Sequence, residues 1–358
     1  MKIVHIIEAT ATGTLSMAAL LANSQLQKGH DVEVIYSRRS ETPEALKTYF
    51  ESGVNLVNIQ MCSLSEKLSS IRSIRAQLQA GTPDIVFMHS SFSGFLGRIA
   101  GLAILPHTKF FYIPHCISFM REDVGLLKKI VFIGFEWVGA LKNSVYLACS
   151  QSEQIKISQC IPFRTCILVE NAVRDFPVDN GQERAKNSVI TVGQIRTQKG
   201  PLDFAKIALE VKKNRPDLVF KWIGDGEDEA KKVLVDAGVE VTGWVPKEQV
   251  LENLISATLY LSTAKWEGMP VSLIEAQYAK LPIVASRCAG NVDVVSHGDT
   301  GWLFDSVDEA SGFVLAALSD IQESNKISEH AYSEAKRRFS VERYVEQIND
   351  LMINRIKG

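Results

Sequence analysis

The sequence predicts an α/β chain of two doubly wound parallel-sheet domains in series. Short β-branched runs alternate with longer amphipathic stretches from end to end, the mark of βαβ units. At 358 residues the chain exceeds what one ordinary core serves. Its 46% apolar and 22% charged residues give the balance of a folded globular protein, neither disordered nor membrane-spanning.

The elements follow in order. Met-Lys-Ile-Val-His-Ile-Ile-Glu opens the chain, an apolar run broken by His5 and Glu8 that reads as a buried first strand without a signal-peptide pattern. Strands are expected at residues 3–7, 32–35, 54–59, 85–88, 110–113 and 145–148, with helices at 15–27, 65–79 and 125–141. A second series places strands at 189–192, 219–223, 239–242, 258–261, 283–285 and 302–304, and helices at 310–318, 326–338 and 341–356. Domains are expected at 1–165 and 166–340, with the last helix, about 341–358, free to pack back on the first. Ligands of such sheets sit at the carboxyl ends of the strands, where strand order reverses. Two such domains face to face would enclose one cleft.

Composition narrows the setting. Six cysteines show no Cys-x-x-Cys spacing, so a reduced, cytoplasmic chain is expected. No run reaches the roughly 20 apolar residues that span a bilayer. The nearest, at 130–141 behind Lys128 and Lys129, holds Glu136 and reads as a buried domain helix, with a helix lying on a membrane surface as the alternative. Residues 1–165 carry 16 Lys and Arg against 12 Asp and Glu, the remainder 23 against 29. A basic first half could face anionic lipid, although so small an excess is also ordinary scatter. No nucleic-acid partner is expected.

Trp266-Glu-Gly-Met-Pro-Val-Ser-Leu-Ile-Glu275 is the most informative segment. It follows a strand; Gly268 permits close backbone approach, and Pro270 suits a first helical position. Glu267 then stands before a helix and Glu275 in its second turn, about 7.5 Å along the axis from Pro270 at ~1.5 Å per residue. Free amides at that helix start suit an anionic diphosphate lying between two carboxylates able to hold hydroxyls. Arg196 and Lys199 follow the strand at 189–192. No Asp-x-Asp occurs in the chain, so fixed cations rather than a metal are expected to neutralise a departing diphosphate.

Glu267-Gly-Met-Pro270 through Glu275-Ala276 resembles the Glu-seven residues-Glu motif of glycosyltransferase family 4. Val192-Gly-Gln-Ile-Arg-Thr-Gln-Lys-Gly200 is similar to its Gly-Arg-Leu…Lys-Gly phosphate segment, and His297-Gly-Asp-Thr-Gly-Trp-Leu303 to its His-Gly-x-Thr-Gly-Phe-Leu turn. Gly13 after the first strand and Gly29-His30-Asp-Val-Glu-Val before the second resemble its amino-terminal pattern. The likeness implies a GT-B fold of two facing Rossmann-like domains with an interdomain cleft. The first domain would take the acceptor and the second the donor. It implies a retaining, metal-independent transferase moving a sugar from a nucleotide-diphosphate donor to a glycan or lipid-linked acceptor, in surface polysaccharide or other glycan biosynthesis. No cofactor is implied beyond the donor, and peripheral membrane contact through the first domain fits such an acceptor.

Carried across by position, the resemblance gives Glu267 the donor sugar, Glu275 the ribose, Lys199 the diphosphate, and His115 a place near the reacting sugar. The family's Arg after the glycine is Gln194 here, and Arg196 is expected to supply the second positive charge. Gly13, Gly193, Gly224, Gly243, Trp244, Gly268, Met269 and Pro270 complete the expected donor contacts, with Gly290-Asn291 offering amides. The role of His89, at another strand end, stays open. Acceptor contacts are expected from residues 8–14, 90–94 and 115–123. Competing readings are another GT-B enzyme, either a sugar-nucleotide epimerase or an inverting transferase, and a non-catalytic sugar-nucleotide binder.

Overall fold

The computed structural model describes residues 1–177 and 187–354, without the Thr12 side chain. Its contacts divide into two units: Met1–Asn171 with the chain from Glu342 onward, and Ala172–Val341. The first holds a parallel sheet of β1 (Lys2–Ile7), β2 (Asp31–Tyr36), β3 (Asn55–Asn58), β4 (Ile85–His89), β5 (Lys109–Ile113), β6 (Val145–Ala148) and β7 (Cys166–Leu168). Their order is β3-β2-β1-β4-β5-β6-β7, so the winding reverses between β1 and β4. The central strands are mostly apolar, as in a sheet covered on both faces: Ile3, Val4, Ile6 and Ile7 are all buried, and so is His5 among them.

The second unit holds β8 (Ser188–Val192), β9 (Val219–Ile223), β10 (Glu240–Val241), β11 (Leu259–Ser262), β12 (Ile283–Ser286) and β13 (Trp302–Phe304). They are ordered β10-β9-β8-β11-β12-β13, again parallel, with the reversal between β8 and β11. Phe204, from helix Pro201–Asn214, meets Phe220 and Trp222 edge-on at 5.9 and 5.2 Å in its core.

Several helices are not among those expected, including Ser91–Ala100 after β4, Pro201–Asn214, Asp228–Asp236 and Lys247–Ser256. Gln151–Cys160, also unexpected, is too polar to display a stripe, although Ser150 caps it by accepting from the Glu153 N–H at 3.1 Å. β7 pairs with β6, so residues 166–168 extend the first sheet instead of opening the second domain, and the chain leaves the first unit after Asn171. The last helix, Val341–Ile353, is tied to the first unit: Gln347 Nε2 donates to Leu168 O at 2.7 Å, and Lys109 Nζ to Met352 O at 2.6 Å. Its expected end at Ile356 lies outside the described residues.

Helix Leu126–Gly139, expected as a buried domain helix, is buried on one side only. Glu136 is the side chain turned inward. Its Oε2 meets Arg98 Nη2 at 2.7 Å and accepts from the Tyr146 hydroxyl at 3.0 Å, while Oε1 accepts from Tyr112 at 3.0 Å. The helix is thereby anchored through its one acid, and Leu126, Leu127, Ile130, Phe135 and Trp137 face outward.

Candidate functional site

In the second unit the reversal of winding brings the loops after β8 and β11 together, and glycines allow the contact. Gly200 adopts φ +66°, and a Cβ there would lie 2.0 Å from Thr263 O. Thr263 Oγ1 donates to both Lys199 O and Gly200 O at 2.9 Å, locking the loops. The loop after β9 joins them: Ile195 N donates to Asp225 O at 2.8 Å, and a Cβ on Gly224 would strike Gly193 O at 2.2 Å. Gly224 also bridges to Gly243, beyond which Trp244 stands exposed.

This knitting delivers Lys199 to Glu267. Lys199 Nζ and Glu267 Oε1 are 2.8 Å apart, with only 19% and 10% of the side chains exposed. Gln198 Nε2 donates to Glu267 Oε2 at 3.3 Å and to Trp266 O at 3.0 Å. Burial pulls the Lys199 ammonium down, but the Glu267 carboxylate outweighs it and the ammonium rests above its ordinary value; the nearby Arg196 charge opposes this. Arg196 is held extended between buried Ile195 and the short 3₁₀ turn Thr197–Lys199, and its buried Nε lacks a protein acceptor. Gln194 is half-buried beside Gly193.

Gly290 sets the position of Glu267 from the other side. It adopts φ +87°, Glu267 N donates to Ala289 O at 2.9 Å, and a Cβ on Gly290 would meet Glu267 Cβ at 2.5 Å. The Asn291 side chain is tied into the fold: fully buried, its Nδ2 donates to Ser286 O and to Ser262 Oγ at 3.0 and 3.2 Å.

Pro270 occupies the cap, not the first helical position; its ψ of 110° is extended, and helix Val271–Tyr278 starts one residue later. Leu273 and Ile274 both donate to Pro270 O, and the Val271 and Ser272 N–H groups, in the first turn, have no intrahelical acceptor. Glu275 is buried in this helix and pairs with Lys247, a partner absent from the sequence reading. Gly268 and Met269 complete the loop, Met269 buried. The His297 turn serves the fold, since Leu303 N donates to His297 Nδ1 at 3.0 Å and fixes the start of β13.

In the first unit the expected residues are distributed differently. Gly13 lies inside helix Thr12–Gln27, one turn earlier than expected, so it is not a loop glycine. Residues 91–94 form the first turn of Ser91–Ala100, so that acceptor loop is also a helix start. His115 follows β5 at φ 56°, a left-handed conformation for a non-glycine residue, with Cys116 at φ 104°. Buried Glu153 stabilises this turn: its Oε1 accepts from Cys116 N and Ile117 N, and its Oε2 from Cys149 N, each at 2.8 Å. Sequence reading passed over Glu153, although Ser150-x-x-Glu153 opening a helix was the available signal. Glu8, at the end of β1, is buried with Arg39 Nη2 at 3.7 Å, and burial raises its carboxyl.

Comparison with known proteins agrees with this architecture. Residues 12–175 match the model described as Glycosyltransferase Family 4, and residues 174–338 that described as Glycosyl transferases group 1. A UDP-Gal:alpha-D-GlcNAc-diphosphoundecaprenol alpha-1,3-galactosyltransferase of Escherichia coli is 27% identical, over 82% of this chain and 81% of its own. A 41.2 kDa protein in the cps region of Klebsiella pneumoniae is likewise 27% identical, over 85% and 86%. Among solved structures, Anabaena HepE in complex with UDP and glucose superposes with a TM-score of 0.79 at 18% identity, covering 98% of this chain and 99% of HepE. Sucrose-phosphate synthase from Thermosynechococcus elongatus superposes at 0.84 with 14% identity and 98% coverage of both chains. These structures share the GT-B fold, two Rossmann-like parallel-sheet domains.

Proposed function

We propose that this chain, which belongs to glycosyltransferase family 4, transfers a sugar from a UDP-sugar to a lipid-linked glycan acceptor during polysaccharide assembly, with retention and without a metal ion. The observation that carries this is the Lys199–Glu267 pair at the point where the second sheet reverses, with Arg196 beside it and its Nε unclaimed by protein. A buried lysine–glutamate pair in a plain fold has no need of a third cation with a bare donor. A diphosphate does. Its two phosphates would take Lys199, Arg196 and the Val271 and Ser272 amides, and the Glu267 carboxylate would be left for the sugar hydroxyls.

The chemistry follows from charge. Breaking the sugar–diphosphate bond builds negative charge on the leaving oxygen, and a fixed cation already in place stabilises it without reorganisation. Lys199 and Arg196 are the groups to do so. Glu275 would receive the ribose hydroxyls once Lys247, itself about half exposed, swings aside. The UDP moiety and the lipid-linked acceptor are supported by the HepE complex and by the activity named for the Escherichia coli relative.

A lipid-linked acceptor also gives the outward face of helix Leu126–Gly139 an occupant. Leu126 and Leu127 are 74% and 77% exposed, Trp137 is half exposed, and Lys128 stands beside them. An apolar face with basic flanks binds the interface of an anionic bilayer. No helix among the described residues is long and apolar enough to cross a membrane. Sedimentation with anionic vesicles should carry the protein down, and Leu127→Glu with Ile130→Glu should leave it in the supernatant; equal sedimentation of both would reject this contact.

The transferase reading is tested by thermal shift with UDP-, GDP- and dTDP-sugars, since a ligand at 100 times its Kd stabilises by roughly 2.7 kcal/mol. A UDP-sugar should raise Tm, and addition of a polyprenyl-diphosphate glycan should yield a product whose new linkage keeps the donor's anomeric configuration. If no nucleotide sugar protects the protein, the reading fails. Epimer formation from donor alone would replace it with an epimerase.

A further inference from the structure

Three imidazoles form a continuous row through the first sheet, from β1 through β4 to the turn after β5. His5 Nδ1 is 3.0 Å from His89 Nε2, and His89 Nδ1 is 3.2 Å from His115 Nε2. Neighbouring rings lie nearly parallel, at 18° and 13°. His5 and His89 are fully buried, on strands that pair in register Ile7 to His89. At the inner end His5 Nε2 is 2.7 Å from Gln25 Oε1, and Gln25 Nε2 donates to Met352 Sδ at 3.5 Å.

The order of protons along this row is determined by Met352. A thioether accepts weakly and has nothing to donate, so the amide nitrogen of Gln25 faces the sulfur and its oxygen faces His5. His5 must then carry its proton on Nε2 and accept at Nδ1. His89 in turn donates from Nε2 and accepts at Nδ1, and His115 donates from Nε2. The Nδ1 of His115 is left as a bare lone pair at the carboxyl end of the sheet, where the chain turns left-handed.

We propose that Gln25, His5 and His89 are positioning residues that hold His115 as the Nε2–H tautomer, so that its Nδ1 accepts a hydrogen bond from a hydroxyl of the sugar substrate. The substrate half of this rests on the transferase reading above. Burial keeps the row neutral, pushing His5 and His115 down to about 4 and His89 well below its ordinary value. Burial is the chief cause at each ring; His89 also feels the charged forms of its neighbours His5 and His115, and the Gln25 hydrogen bond partly offsets burial at His5. The row does not conduct a proton away, because it ends on an amide oxygen with no basic site. Its effect is orientation: the ring that meets the substrate is an acceptor, never a mixture of donor and acceptor.

Nitrogen-15 NMR of histidine-labelled protein reads this directly, with the His115 ring identified by the signals lost in His115→Asn. The expected spectrum has His115 protonated at Nε2 and bare at Nδ1, unchanged from about pH 6 to pH 8. Gln25→Leu should let the row reverse, with protonated Nδ1 appearing at His115, and turnover should fall roughly tenfold with donor KM little changed. Gln25→Glu keeps an oxygen acceptor beside His5 and should retain the Nε2–H ring and most of the turnover. A wild-type His115 protonated at Nδ1, or a His115 tautomer indifferent to Gln25→Leu, overturns the proposal. The spectrum needs no substrate, so it stands apart from the activity: the expected tautomer in a protein that turns over no nucleotide sugar would remove the transferase reading and the substrate half of the proposal together.

Discussion

Replacing Lys199 by Met keeps the length of the side chain and deletes its charge. The structure supplies the size of the effect. At 2.8 Å and an effective dielectric near 20, the attraction between Lys199 and Glu267 is roughly 6 kcal/mol gross. Desolvation of both groups consumes much of this. A pair with 19% and 10% exposure lies between the surface limit of about 1 kcal/mol and the buried limit of about 3–5 kcal/mol, so Lys199→Met should cost about 2–3 kcal/mol of stability. Its effect on turnover is separate, because in the reaction the ammonium faces phosphate: loss of one such donor costs ~2.7–4 kcal/mol, a hundredfold or more in kcat. Urea denaturation gives the first quantity and steady-state transfer the second. Adding Glu267→Gln should recover most of the stability, since no carboxylate is then stranded, and none of the activity. Because the folded Lys199 value is raised, the pair's contribution is whole below the ordinary lysine value near 10.4 and is lost as pH climbs through the raised one. A Lys199→Met enzyme with kcat within about threefold of the parent would refute the assignment.

Three other outcomes are expected. Gly290→Ala should cost about 1–3 kcal/mol of stability and lower transfer well beyond that, because the new Cβ pushes on Glu267 and must adopt φ +87°; unchanged kcat would show that the contact has slack. Transfer should persist in EDTA, and a loss reversed by magnesium or manganese would reject fixed-cation chemistry. Acid should unfold the first unit early. His5 and His115 are depressed to about 4, so the unfolded chain binds their protons first; the stability these rings contribute is full above about 6.5 and falls by up to ~1.4 kcal/mol per pH unit for each ring below it. Thermal melts between pH 7.5 and pH 5, compared with His5→Gln, measure that slope.

Sequence reading located every strand of both sheets but β7, because in a parallel sheet covered on both faces each strand is a β-branched run that stands out from its surroundings. β7 at Cys166–Leu168 was legible as a short apolar run but not as a partner of β6, since pairing depends on where the chain goes next. The candidate segments of the second unit were legible for a local reason: Gly193 to Gly200 and Glu267 to Glu275 are continuous, and each carries its glycines with it. What stayed hidden joins residues distant in sequence. Lys247 on Glu275 and the row behind His115 leave no spacing to find, and Ser150-x-x-Glu153 marks a helix start without showing that Glu153 reaches the His115 turn. Glu136 misled for the opposite reason: one acid in an apolar helix is equally consistent with a wet face and with a buried partner, and only Arg98, 38 residues away, decides between them.

The Gln25–Met352 contact also bears on biosynthesis. The second unit is an insertion whose two ends both belong to the first, so a ribosome releases Met352 only after all of residues 172–341 have emerged. Until then the sulfur that turns the Gln25 amide is missing, and the proton order of the histidines has nothing to choose it. The nascent first unit can collapse early around its sheet, yet it acquires a defined His115 only when the final helix docks. Synthesis therefore withholds a fixed His115 ring until the second unit has been made.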